Sequence, residues 1–131
     1  MIKPSTMMDA EEPTLILVVE DDLLVAMDLT AMLMEAGFAV LGPVSTVLAA
    51  QHLLSQQRPD AAVLDVGLRN ALVTPLAGTL QNMGVPFLVA SGYSRAALLN
   101  DELLSSAPAL EKPICPSKLI DTLAVLLSEA G

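Results

Sequence analysis

Thr14-Leu15-Ile16-Leu17-Val18-Val19-Glu20-Asp21-Asp22 decides how this chain is read. Six residues without a charge, four of them β-branched, match a strand buried on both faces, and the run ends abruptly in three acids. The pattern recurs at Ala61-Ala62-Val63-Leu64, which runs straight into Asp65. Between these runs, Leu24, Met27, Leu29, Met32 and Leu33 fall at helical spacing and Gly37 supplies a stop, so a helix is expected over about 23–36. Continuing outward, short strands are expected at 38–41, closed by Gly42-Pro43, at 86–90 and at 108–111. Helices are expected from a Ser45 or Thr46 cap to about Gln57, from a Thr74 cap through Pro75 to Met83-Gly84, around Leu99 to Leu104, and from Pro116 to Leu127. Strand and helix thus alternate five times, which implies an α/β fold, a parallel sheet covered by helices on both faces.

In such a sheet, ligands bind beyond the carboxyl ends of the strands. Glu20 and Asp21 follow the first strand, Asp65 the third, Ser91 the fourth and Lys112 the fifth. With strand order 2-1-3-4-5 these groups converge on one crevice, and the second strand, at the edge, contributes nothing. Three neighbouring carboxylates either share protons at raised pKa or hold a cation. Oxygen ligands on a watery rim suit Mg2+, with Asp21 and Asp65 as direct ligands and Glu20 acting through water. Lys112 and Ser91, on the far side, would hold the oxygens of a phosphoryl group, and Asp65 between the two sides is the natural nucleophile.

Composition narrows the alternatives. The 131 residues suit one domain, with 1–13 expected as a loose tail and 14–131 as the folded unit. Mean hydropathy is +0.62, yet the longest uncharged stretch, 70–94, is broken by Pro75, Gly78, Gly84 and Pro86, so no membrane span is expected. Asp9, Glu11 and Glu12 replace the basic start of a secretory signal, and a cytoplasmic location is expected. A net charge of −9 with scattered basic residues disfavours nucleic acid. Cys115, the single cysteine, excludes an internal disulfide and is expected as an apolar filler near a strand end. Asp22 is expected to serve the helix N-terminus rather than a metal. His52 lies mid-helix, and Arg69 and Arg95 flank the crevice, either to steer an anionic donor or as plain surface residues.

Taken together, Leu17-Val18-Val19-Glu20-Asp21-Asp22, Pro59-Asp60-Ala61-Ala62-Val63-Leu64-Asp65, Ser91 and Lys112-Pro113 resemble the receiver domain of two-component response regulators, with its flavodoxin-like three-layer sandwich. The resemblance spans about 14–128. It implies Asp65 as phosphoacceptor, Glu20, Asp21, Asp65 and the Gly67 carbonyl as Mg2+ ligands, Ser91 as switch hydroxyl and Lys112 as phosphoryl partner. Asp65-Val66-Gly67-Leu68-Arg69 and Val85-Pro86-Phe87-Leu88-Val89-Ala90-Ser91-Gly92-Tyr93 are similar to the single-domain FAT GUY subgroup of alphaproteobacteria, with Val89 and Ser91 replacing its usual Phe and Thr. That likeness implies a histidine kinase of the HWE or related type, or a phosphotransfer protein, as donor. Output would pass to a downstream protein through the surface formed by the helix near 99–104, the strand at 108–111 and the last helix. The family's strand-five aromatic is matched by Ala109, so Tyr93 either replaces that switch or is a packed loop residue. Three readings follow: a phosphorylated stand-alone receiver that catalyses only its own phosphoryl exchange, a phosphorylation-independent adaptor, and a phosphate sink in a relay.

Overall fold

The computed structural model describes residues 12–66, 73–91, 104 and 106–130. Five strands form one sheet: β1 (Leu15–Val19), β2 (Ala39–Val44), β3 (Ala61–Asp65), β4 (Phe87–Ser91) and β5 (Ala109–Glu111). Four helices join or follow them: α1 (Leu23–Glu35), α2 (Val47–Gln56), α3 (Thr74–Met83) and α4 (Pro116–Ala130). The order is β2-β1-β3-β4-β5 and every pairing is parallel. This is the flavodoxin-like arrangement that the strand ends required. Residues 1–11 of the expected tail lie outside the described residues, as does most of the helix expected before β5; Leu104 alone of that stretch is described, helical and buried. No described helix is long and apolar enough to cross a membrane.

Period-two alternation splits the apolar strand residues between two cores. Ile16, Val18, Ala61, Val63, Leu88 and Ala90 pack with Leu29 and Leu33 of α1 and Leu119 and Leu123 of α4. Leu17, Val19, Ala62, Leu64 and Val89 pack with Leu54 of α2 and Leu76 and Leu80 of α3 on the other face. Central strands covered on both sides have no polar face, which is why β1 and β3 read as unbroken apolar runs.

Polar residues fix the ends. Asp22 Oδ1 accepts from Leu24 N at 3.0 Å and Val25 N at 3.2 Å, so Asp22 is the α1 cap that the sequence suggested. Thr46 caps α2 through Ala49 N at 3.0 Å. Asp60 and Leu15 exchange two bonds of 2.8 Å, one from Asp60 N to Leu15 O and one from Leu15 N to Asp60 Oδ2, which lock the start of β1 to the start of β3. Arg58 donates to Met83 O at 3.2 Å and Gly84 O at 3.1 Å, satisfying carbonyls at the end of α3.

Four local expectations are corrected. β2 does not close at Gly42-Pro43 but continues to Val44, because a register shift opposite Leu17 to Val19 takes Pro43 out of the ladder. Thr74 is the first helical residue of α3 and makes no cap, the N-cap position being Val73. The last helix runs three residues past Leu127, to Ala130. Cys115 is exposed: Ile114 takes the inward position, and the Cys115 sulfur faces Ser117 Oγ at 3.3 Å. Leu64→Ala should lower unfolding free energy by about 2–5 kcal/mol, from lost burial plus the cavity left. Asp22→Ala should cost about 1 kcal/mol, from two orphaned amides. Urea titrations of the two variants read both values, and an unchanged midpoint for Leu64→Ala would contradict the two-core packing.

Candidate acidic phosphoacceptor site

The alternation that sorts the core also aims the site. Glu20 stands two residues beyond Val18, Asp65 two beyond Val63 and Lys112 two beyond Leu110, so all three share the parity of the α1/α4 face. They meet at the carboxyl rim: Lys112 Nζ lies 2.7 Å from Glu20 Oε1 and 3.2 Å from Asp65 Oδ1. Glu20 and Asp65 are 2% and 3% exposed. Lys112 is held from its own backbone, its N–H donating to Ser91 O at 2.9 Å across the β4–β5 edge. Ser91 is buried at the end of β4, but it shares the parity of Val89 and so belongs to the opposite face. Alternation therefore sends Glu20, Asp65 and Lys112 to one side and Ser91 to the other, while Asp21, beyond the strand end, brings its carboxylate to within 4.8 Å of those of Glu20 and Asp65. Gly67 and Tyr93, and with them Arg69 and Arg95, lie outside the described residues.

Two expectations about this rim change. Lys112 was placed with Ser91, across Asp65 from the acidic pair; its ammonium instead reaches Glu20 more closely than Asp65. The reason is electrostatic, since buried carboxylates side by side draw the nearest cation between them. The edge strand was expected to contribute nothing, yet Val44 O accepts from Glu20 N at 2.9 Å. Pro43 and Ser45 then help wall a cleft of about 520 Å3 that opens onto Glu20 and Asp21 between α1 and α2. Gly42 makes this wall possible: its φ is +97°, and an added Cβ would meet Val44 N at 2.8 Å and Val18 O at 3.1 Å. The Gly-Pro pair was the available signal, and it was read only as a strand stop.

Carboxylate oxygens of Glu20, Asp21 and Asp65 all lie within 4.8 Å of one another, an oxygen-only set that fits a small hard cation. Burial first, and then the adjoining Asp65 carboxylate, push the Glu20 pKa up to about 7, against the opposing pull of Lys112. Burial alone would lower the Lys112 pKa, but the hydrogen bond to Glu20 and the charges of Asp65 and Glu20 outweigh it and hold the ammonium above its usual range. The raised proton affinity is one of the two outcomes expected of neighbouring carboxylates, and the Lys112 ammonium meets part of their charge.

Because the folded chain binds the Glu20 proton more tightly than the unfolded chain, this group removes stability as pH rises from about 4.5 to about 7. With divalent ions chelated, the wild-type urea midpoint should rise on going from about pH 7.5 to about pH 5.5, and Glu20→Gln should show less of that rise. Equal slopes for the two proteins would contradict the burial of this carboxylate.

No family model matches the chain. The transcriptional regulatory protein PdtaR of Mycobacterium tuberculosis is 29% identical over 130 residues, which is 98% of this chain and 63% of the relative, so the chain spans under two thirds of that relative's length. Among solved structures, SdrG from Pseudomonas melonis Fr1, in its BeF3-activated conformation, is 35% identical, with 90% of this chain and 99% of that chain covered and a TM-score of 0.76. The response regulator receiver protein from Sinorhizobium medicae WSM419 shares the fold at a TM-score of 0.82 and 24% identity, over 92% of this chain and 98% of that one. Such likeness over nearly the whole described fold, joined to an acidic rim built as the resemblance required, shows that the chain belongs to the receiver domains of response regulators.

Proposed function

We propose that this receiver accepts a phosphoryl group on Asp65 from a phosphohistidine of a kinase or phosphotransfer protein, with Mg2+ at the acidic rim, and passes the change on by protein contact. The observation that carries the reading is the Lys112 ammonium 3.2 Å from Asp65 Oδ1 at a carboxylate that is 3% exposed. An Asp65 oxygen attacks phosphorus, a P–O bond forms as the P–N bond to the imidazole breaks, and the departing imidazole retains the bonding pair and takes up a proton. Lys112 is placed to neutralise charge on the transferred oxygens, and Ser91, at the end of the neighbouring strand, offers a hydroxyl to them. Bound Mg2+, held by Asp65 and Asp21, would supply further charge neutralisation. Later attack by water on the acyl phosphate regenerates the carboxylate and free phosphate, so the chain turns over only its own phosphoryl group.

A protein-borne donor suits the surface beside the rim. Leu23, Leu24 and Met27 at the start of α1 and Leu48 of α2 are all exposed, and Leu23 also lines the cleft that reaches Glu20 and Asp21. Apolar side chains left uncovered next to a reactive group are the usual mark of a protein partner. We read the donor as a histidine kinase of the HWE or related type, on the FAT GUY likeness, and the location as cytoplasmic. One observation favours the sink reading: Ala109 pairs with Val89 and packs against the α2/α3-face core, so β5 carries no large side chain there to relay the change.

Incubated with Mg2+ and acetyl phosphate, the wild type should gain one phosphoryl group by intact mass, lost on treatment with hydroxylamine, and Asp65→Asn should gain none. Chelation of Mg2+ should slow labelling by at least about tenfold. Failure of the wild type to take up phosphate would favour the adaptor reading. Labelling without change in amide chemical shifts beyond the rim would favour the sink.

A further inference from the structure

The amino edge of the sheet, opposite the acidic rim, carries an open groove of about 330 Å3. Val85 and Phe87 at the entry to β4, Pro108 at the entry to β5 and Leu126 of α4 form its apolar walls. Gly84, Ser106 and Ala107 also line it, and their small side chains leave the space that larger residues would fill. Phe87 stays half-buried beside that space. Arg58 borders the groove, donating to Gly84 O at 3.1 Å and to Met83 O at 3.2 Å. Register places all this close to the point where the first residues of the chain join β1. Leu17 pairs with Ala62 and Ala62 with Phe87, so the groove stands level with the start of β1, two strand spacings or about 10 Å away. Met8 lies five residues before Pro13, which allows about 17 Å of extended chain.

We infer that Met7-Met8 of this chain's own amino-terminal segment docks in the groove, with Asp9, Glu11 and Glu12 drawn to Arg58 on the way. Length and charge both select this occupant. The path from β1 to β4 crosses the start of β3, where Arg58 is the basic group among the described residues; Lys112 and Lys118 follow β5 and stand toward the opposite rim. Two of the Arg58 N–H groups serve carbonyls, and the rest of its donors and its charge remain for carboxylates. Methionine suits the groove itself, because an unbranched thioether fills irregular apolar space and its sulfur packs well at an aromatic edge such as that of Phe87. The docked segment straps the start of β1 to the starts of β4 and β5, whose far ends carry Ser91 and lead to Lys112. It does not depend on the phosphoacceptor reading.

The test uses the full chain carrying 13C-methyl methionine and is read by NMR, with Met7→Ala and Met8→Ala assigning the two signals. In the wild type, a methyl group of Met7 or Met8 should show nuclear Overhauser contacts to the Phe87 ring and a ring-current shift away from its free-chain position. Asp9→Asn/Glu11→Gln/Glu12→Gln should weaken those contacts. Ser106→Phe, which fills the groove from its exposed side, should return both signals to the free-chain position, and Met7→Ser/Met8→Ser should lower the thermal midpoint by about 3 °C. Amide spectra show whether Ser106→Phe is folded, and the wild-type contacts decide the matter without it. Free-chain signals for both methionines in the wild type would overturn the inference. So would contacts seen only between differently labelled copies in a mixed sample, which would give the groove to a second copy.

Discussion

The contact of one lysine with two buried carboxylates constrains everything around it. Removing Glu20 and Asp65 from water is unfavourable unless their charge is met, and the Lys112 ammonium at 2.7 Å and 3.2 Å meets it. Because these residues come from the ends of β1, β3 and β5, the contact can form only when β1 and β3 are neighbours and β5 is reached through β4 at the correct register. Strand order and site are therefore one requirement. The contact is also poised, since the pKa of Glu20 is pushed up to about 7 by burial and by Asp65. A site held in that balance responds strongly to an added cation or an added phosphoryl group.

The supporting shell is built from backbone as much as from side chains. Val44 O receives the Glu20 amide, Asp22 N–H holds the Glu20 carboxylate, and Ser91 O receives the Lys112 amide. The backbones of Glu20 and Lys112 are thus each fixed to a neighbouring strand, which gives rigidity of the kind a reacting centre needs. The Gly42 bend belongs to the same shell, for it turns the end of β2 toward Glu20 and closes one wall of the cleft. Beyond the rim, the exposed apolar side chains at the start of α1, Leu23, Leu24 and Met27, place a surface of the kind protein partners cover beside the chemistry.

The fold was legible in sequence because two signals of different origin agreed. Apolar runs at 14–19 and 61–64 could only be buried strands, and the acids that ended them marked the carboxyl edge without any knowledge of strand order. The rim residues Glu20, Asp21, Asp65, Ser91 and Lys112 were legible for the same reason. What escaped depended on atoms rather than patterns. The reach of Lys112 to Glu20 follows from a long side chain seeking charge, and no spacing rule encodes it. The part played by Pro43 and Ser45 needed the bulge opposite Val19, whose one sequence sign, a glycine before a proline, is shared with many ordinary strand ends. Cys115 was read as a filler because its neighbours are apolar, but at the start of α4 only one of two adjacent side chains can face inward, and Ile114 does.

The central claim is that the lysine and the carboxylates enclose a place built for a cation and a phosphoryl group together. Crystals grown with Mn2+ and beryllofluoride test it most directly, since manganese is located by its anomalous scattering. The account predicts one manganese peak in contact with Asp21 and Asp65, beryllofluoride joined to an Asp65 oxygen, and the Lys112 ammonium on a fluorine. Manganese bound elsewhere, or an Asp65 carboxylate left unmodified with Lys112 turned away to solvent, would contradict it.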